Sequence, residues 1–97
     1  MRQIDFNKIS NYFQTKPVLK AYVFGSYARN EADEKSDLDI LVELDYENGG
    51  ASLENWLNMF DDLNKLVGIK VDLVSAGGLS KFIAPYIHQD KKLIYAK

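Results

Sequence analysis

Cysteine is absent from this chain of 97 residues, so neither a disulfide nor a thiolate metal site can hold the fold together. That suits a reducing compartment. No stretch approaches the roughly 18 apolar residues of a membrane span, and the opening Met1-Arg-Gln-Ile-Asp-Phe lacks the apolar run of a signal peptide. The expected location is the cytoplasm, with no membrane partner. An excess of one charge is missing too: 12 Lys and Arg against 14 Asp and Glu leave a formal net charge of -2. Basic residues are scattered along the chain, so a polyanion finds no block to bind, and direct nucleic-acid binding is disfavoured. No internal repeat, linker or low-complexity segment appears.

What is present suffices for one core. Apolar residues make up 46% of the chain and charged ones 27%, an ordinary balance for a globular protein. The length implies one domain over residues 1–97, too small to add a separate substrate-binding domain. Whatever such a domain would contribute is expected from a partner.

The apolar pattern alternates between helical and extended periods. Asp5 can cap a helix whose apolar positions Phe6, Ile9, Tyr12 and Phe13 recur at helical spacing, and Pro17 ends it. Residues 19–24 read as a first strand closed by Gly25. A helical turn is expected over 28–32, with the N–H groups near Ser26 and Tyr27 at its start. Residues 31–36 are a polar loop, and 37–44 a second strand. Asn48-Gly49-Gly50 marks a turn within a segment long enough to be a mobile loop. Leu53, Trp56, Leu57, Phe60, Leu63 and Val67 then recur three and four residues apart, with Gly68 beyond them, which predicts a helix over 53–67 and makes Trp56 a core anchor. A third strand is expected over 69–74, a short turn around 80–83, a last helix from Pro85 to about residue 91, and an edge strand at 93–95. The pattern implies the α/β (α+β) class, a small mixed sheet packed on helices. Ligands in such sheets bind beyond strand ends, where Gly25, Asp37 and the loop after Val74 could meet.

The stretch from Gly25 to Val42 carries the chemistry. Gly25 lets a backbone approach a phosphate, and Ser26 adds a hydroxyl and an N–H. Ten residues on, Asp37 and Asp39 project from one face of the second strand while Leu38, Ile40 and Val42 turn inward. Two like charges on one face need a cation, and hard oxygen donors at this spacing suit Mg2+ with a substrate phosphate. Asp72 sits among Val71, Leu73 and Val74 in the third strand, expected to be a central one, where burying an unpartnered carboxylate is costly. These three aspartates would hold two metal ions, with Asp72 placed to take a proton from an attacking hydroxyl. Arg29 could assist a phosphate or bind a carboxylate of its own loop. The acidic run Glu31, Asp33, Glu34, the single His88, and Glu43 and Asp45 read as solvated surface.

Gly-Ser, ten residues, Asp-x-Asp and a later Asp on an apolar strand closely resemble the polymerase beta-like nucleotidyltransferase superfamily, and the short length resembles its minimal nucleotidyltransferases. The resemblance covers most of the chain. It departs from many members at Asn30, where they carry Gly, a mild change because Asn also tolerates left-handed geometry. It implies that Gly25 and Ser26 contact ATP and that Asp37, Asp39 and Asp72 bind two Mg2+. It further implies an antitoxin that pairs with a HEPN-family ribonuclease toxin and silences it by transferring AMP from ATP to a toxin tyrosine. Neutralisation by occlusion without catalysis, and a catalytic subunit for small-molecule nucleotidyl transfer, are the alternatives.

Overall fold

Asp5 caps the first helix by accepting hydrogen bonds from the backbone N–H groups of Asn7 and Lys8 at 3.1 and 3.2 Å, which satisfies donors that a helix start leaves open. The computed structural model describes residues 3–97. Helix α1 (Phe6–Phe13) is followed by strand β1 (Val18–Phe24), the single turn α2 (Gly25–Ala28) and strand β2 (Leu38–Leu44). Helix α3 (Leu53–Val67) leads to β3 (Val71–Ser75), then α4 (Ala84–Asp90) and β4 (Lys92–Ala96). Short 3-10 turns occupy Tyr46–Asn48 and Ala76–Gly78. Pro85 lies in the first turn of α4, where its missing N–H costs nothing.

The four strands order as β3-β2-β1-β4. β1 runs antiparallel to both β2 and β4, and β2 runs parallel to β3. The parallel pair needs a crossover, which α3 supplies. Leu38, Ile40 and Val42 of β2, Val71 and Leu73 of β3, and Ala21 and Val23 of β1 form one buried cluster with Ile9 and Phe13 of α1 and Met59 and Leu63 of α3. Two helices thus cover one sheet face, joined by the Tyr12 hydroxyl, which donates to the Asp62 carboxylate at 2.6 Å. The expected edge strand is β4, and Phe13 packs against its Tyr95 with ring centroids 5.8 Å apart.

The helix expected over 53–67 forms within those bounds, and Ser52 caps it by accepting from the N–H of Asn55. Its apolar residues divide between two faces: Met59 and Leu63 are buried and Trp56 packs at the core margin, while Leu53, Leu57 and Phe60 are exposed. Asn64 of α3 ties the helix to the outer strand, accepting from the N–H of Val71 at 2.8 Å.

Asp45 departs from its expected role as a solubilising surface residue. It is buried, and the segment after β2 closes around it. Its N–H donates to the Pro17 carbonyl, its carbonyl accepts from Asn48 and Gly50, and its carboxylate accepts from the Asn48 side chain and from Lys97. The Asn48 hydrogen bond leads the effects that hold its carboxyl below the usual carboxylate range. A depressed folded value stabilises the protein above the unfolded value of about 4, and that contribution is lost as pH falls through the folded value. Asp45→Asn should therefore melt lower than the parent at pH 7, and the gap should narrow in melts recorded towards pH 3. An unchanged gap would assign the loss to packing alone.

Candidate active site

The sheet places three chain segments at one end. In the β1–β2 ladder Phe24 pairs with Asp39, and in the β2–β3 ladder Asp39 pairs with Asp72. The exit of β1 and the entries of β2 and β3 therefore lie side by side. Gly25 meets Asp39 at this end, two residues after Asp37, but the loop after β3 lies elsewhere. Val42 pairs with Ser75, so the parallel arrangement carries that loop to the opposite end of the sheet.

Gly25 leaves β1 with φ of +70°, a left-handed conformation that costs little only without a side chain. The turn that follows begins at Gly25 itself and ends at Ala28, earlier than the expected 28–32. Asn30 at φ of +58° turns the chain out of helical geometry, which is the tolerance that Asn offers in place of Gly. Glu31 donates its N–H to the Ser26 carbonyl at 2.9 Å. Ala28 is buried, and Tyr27 packs partly against the core, so its side chain serves packing. A Cβ built on Gly25 would come within 2.2 Å of Asp39 Oδ2. The glycine and the central carboxylate are thus in close apposition, with no room for an added methyl.

Asp39 is half-buried. Its carboxyl is pushed up to about 6, first by burial, then by the carboxylates of Asp72 and Asp37, with Arg29 opposing. Burial, with two neighbouring carboxylates adding to it, disfavours the charged form, and a bound cation would relieve both effects. Asp37, expected inside the second strand, lies one residue before β2, whose ladder to β3 starts at Leu38, with the Leu38 N–H donating to the Lys70 carbonyl. That bond sets Lys70 beside it, and Lys70 Nζ stands 3.5 Å from Asp37 Oδ2. Asp72 is exposed and not buried on a central strand as expected, because β3 pairs only with β2 and forms the edge of the sheet. Among the described residues no three carboxylate or imidazole groups stand close enough to hold an ion. The donor chemistry nevertheless fits a hard divalent cation, since all three side chains are carboxylates and the charges of Asp72 and Asp37 both act on Asp39.

Arg29 is paired with two carboxylates in this arrangement. Its Nη1 bonds Asp90 Oδ2 at 2.6 Å and its Nε bonds Glu31 Oε2 at 3.1 Å. Asp90 had no sequence signal, being 61 residues away. Glu31 was legible only as part of an acidic loop. Glu43, also read as solvated surface, accepts from the Tyr22 hydroxyl at 2.8 Å. His88 is exposed on α4, as expected.

A glycine-serine turn at a strand end thus stands against carboxylates on the next two strands of a mixed sheet. Residues 7–97 match the family described as Polymerase beta, Nucleotidyltransferase, and the chain belongs to that family. Over 78 residues it is 49% identical to the candidate protein adenylyltransferase MJ0128 of Methanocaldococcus jannaschii, spanning 75% of this chain and 70% of that one. A toxin-antitoxin complex crystallised with AMP-PNP contains a chain of the same fold, with TM-score 0.78 and 21% identity over 97% of this chain and 75% of that one. A complex described as tri-AMPylated Shewanella oneidensis HEPN toxin with MNT antitoxin gives TM-score 0.66 and 21% identity over 95% and 70% of the two chains. No helix among the described residues is long and apolar enough to cross a membrane.

Proposed function

We propose that this chain transfers AMP from ATP to a tyrosine hydroxyl of a partner HEPN-family toxin, and so acts as its antitoxin. The observation that carries the chemistry is Asp39, paired in register with Asp72 and faced by Gly25. The likeness to a protein adenylyltransferase and to chains of two toxin-antitoxin complexes, one with an AMPylated HEPN toxin, supports a toxin protein as the acceptor.

In this reading Gly25 and Ser26 receive the outer phosphates, because the glycine admits the closest backbone approach and Ser26 adds a hydroxyl and an N–H. Asp37, Asp39 and Asp72 would hold two Mg2+. When bound, these ions would neutralise the triphosphate and favour the ionised form of the acceptor hydroxyl. Lys70 would release Asp37 to complete the set. The tyrosine oxygen attacks the α-phosphorus in line, its O–P bond forms as the bond to the β-phosphate oxygen breaks, and pyrophosphate leaves. Asp72 receives the hydroxyl proton. Its exposure on the outer strand leaves it open to a group carried in on another protein. Positioning and charge neutralisation supply most of the rate.

Label from the α-phosphate of ATP should move to the purified partner only in the presence of Mg2+, and tyrosine should carry it on peptide mapping. Transfer of γ-label instead would overturn the reaction class. Full toxin neutralisation by Asp37→Asn without transfer would favour occlusion.

A further inference from the structure

We infer that Asp90 is a positioning residue for the nucleotide-binding turn, acting through Arg29. The inference rests on the reading of Gly25 and Ser26 as phosphate-binding residues.

The turn α2 has only four residues, and Phe24 before it offers no capping side chain. So short a helix is not stable alone. Its own backbone ties are short-range: the Arg29 N–H donates to the Gly25 carbonyl at 3.1 Å, the Asn30 N–H to the Tyr27 carbonyl at 3.4 Å and the Glu31 N–H to the Ser26 carbonyl at 2.9 Å. Ala28 and Tyr27 seat the turn on the core, and the exit beyond them has a further, side-chain tie. The Arg29 side chain reaches from that exit to Asp90 Oδ2 at 2.6 Å, the distance of a strong charge-assisted bond.

Asp90 is a firm anchor. It is the last residue of α4, whose Ile87 is buried. The next N–H, of Lys91, donates to the Ile87 carbonyl at 2.8 Å, and Lys92 pairs at once with Val23 of β1. The Asp90 side chain is only 23% exposed against 65% for Glu31, so its pairing with Arg29 is the less screened of the two. A carboxylate seated between α4 and the sheet thus fastens the turn that must meet the phosphates.

Two carboxylates also surround one guanidinium, leaving a net negative charge there. That is a poor environment for direct phosphate binding by Arg29, and the two roles predict opposite signs. If Arg29 bound phosphate, freeing it from Asp90 would tighten nucleotide binding. If it holds the turn, freeing it loosens binding.

The test is calorimetric titration with Mg2+ and the α,β-methylene analogue of ATP, in which the bond to be cleaved is blocked. Asp90→Asn should weaken binding by about fivefold, the upper range for a solvent-accessible ion pair, while Asp90→Glu restores most of the affinity. In the Arg29→Ala background Asp90→Asn should have no further effect. In transfer assays KM for ATP should rise in proportion while kcat stays within about twofold. Tighter or unchanged binding by Asp90→Asn overturns the inference and leaves the proposed function standing. No binding by the wild-type chain overturns both.

Discussion

Asp39→Asn is expected to lower AMP transfer by about a thousandfold or more, the scale on which loss of one charge-stabilising group acts in a preorganised site. The isosteric amide keeps the shape and removes the charge on which a divalent cation depends. The same change should raise the stability of the metal-free protein at pH 7. The Asp39 carboxyl titrates at about 6 in the fold, above its unfolded value of about 4. Below both values the group is neutral in either state and costs nothing. Between them the unfolded chain releases its proton first, so stability falls as pH rises, and above about 6 the full cost remains. Melting curves at pH 7 without divalent ions should therefore favour the variant. Added Mg2+ should raise the melting temperature of the wild type and leave that of the variant nearly unchanged. An Asp39→Asn protein that transfers AMP at the parental rate would remove this carboxylate from the chemistry.

Local periodicity made most of the fold legible. Asp5, the helical spacing of Ile9 and Phe13, and the alternation from Leu38 to Val42 are signals within one element, and the structure follows them. The first strand begins at Val18 and the third at Val71, so only the margins moved. What pairing decides was hidden. Strand order depends on which edges meet, and the parallel register of Asp39 with Asp72 sends the loop after β3 away from the site. The candidate site behaves in the same way. Its glycine, serine and aspartates lie in recognisable local patterns, and the register brings Gly25, Asp39 and Asp72 together. The groups that hold those parts come from distant segments: Asp90 reaches Arg29 across 61 residues, and Lys70 reaches Asp37 only because the Leu38 N–H bonds the Lys70 carbonyl. The burial of Asp45 was hidden too, since it results from closure of Pro17, Asn48 and Lys97 around one carboxylate.

Gly25→Ala should remove both activity and stability, and a second glycine separates the two losses. At φ of +70° an alanine carries left-handed strain of about 1–2 kcal/mol. Its Cβ would also lie 2.2 Å from Asp39 Oδ2, far inside contact distance. An aspartate has few torsions with which to yield, so its carboxylate must rotate away from the position it shares with Asp72. Gly49 is the control. It too has a positive φ, +104°, but its added Cβ would meet the Asn55 amide at 3.0 Å, a contact outside the candidate site. Gly49→Ala should lose about 1–2 kcal/mol in urea unfolding through the same backbone effect and keep transfer close to wild type. Gly25→Ala should lose at least as much stability and about a hundredfold in transfer, the scale of a small misplacement among reacting groups. If the two variants lost stability equally and both kept full transfer, the close approach of Gly25 to Asp39 would be a packing feature with no part in the reaction.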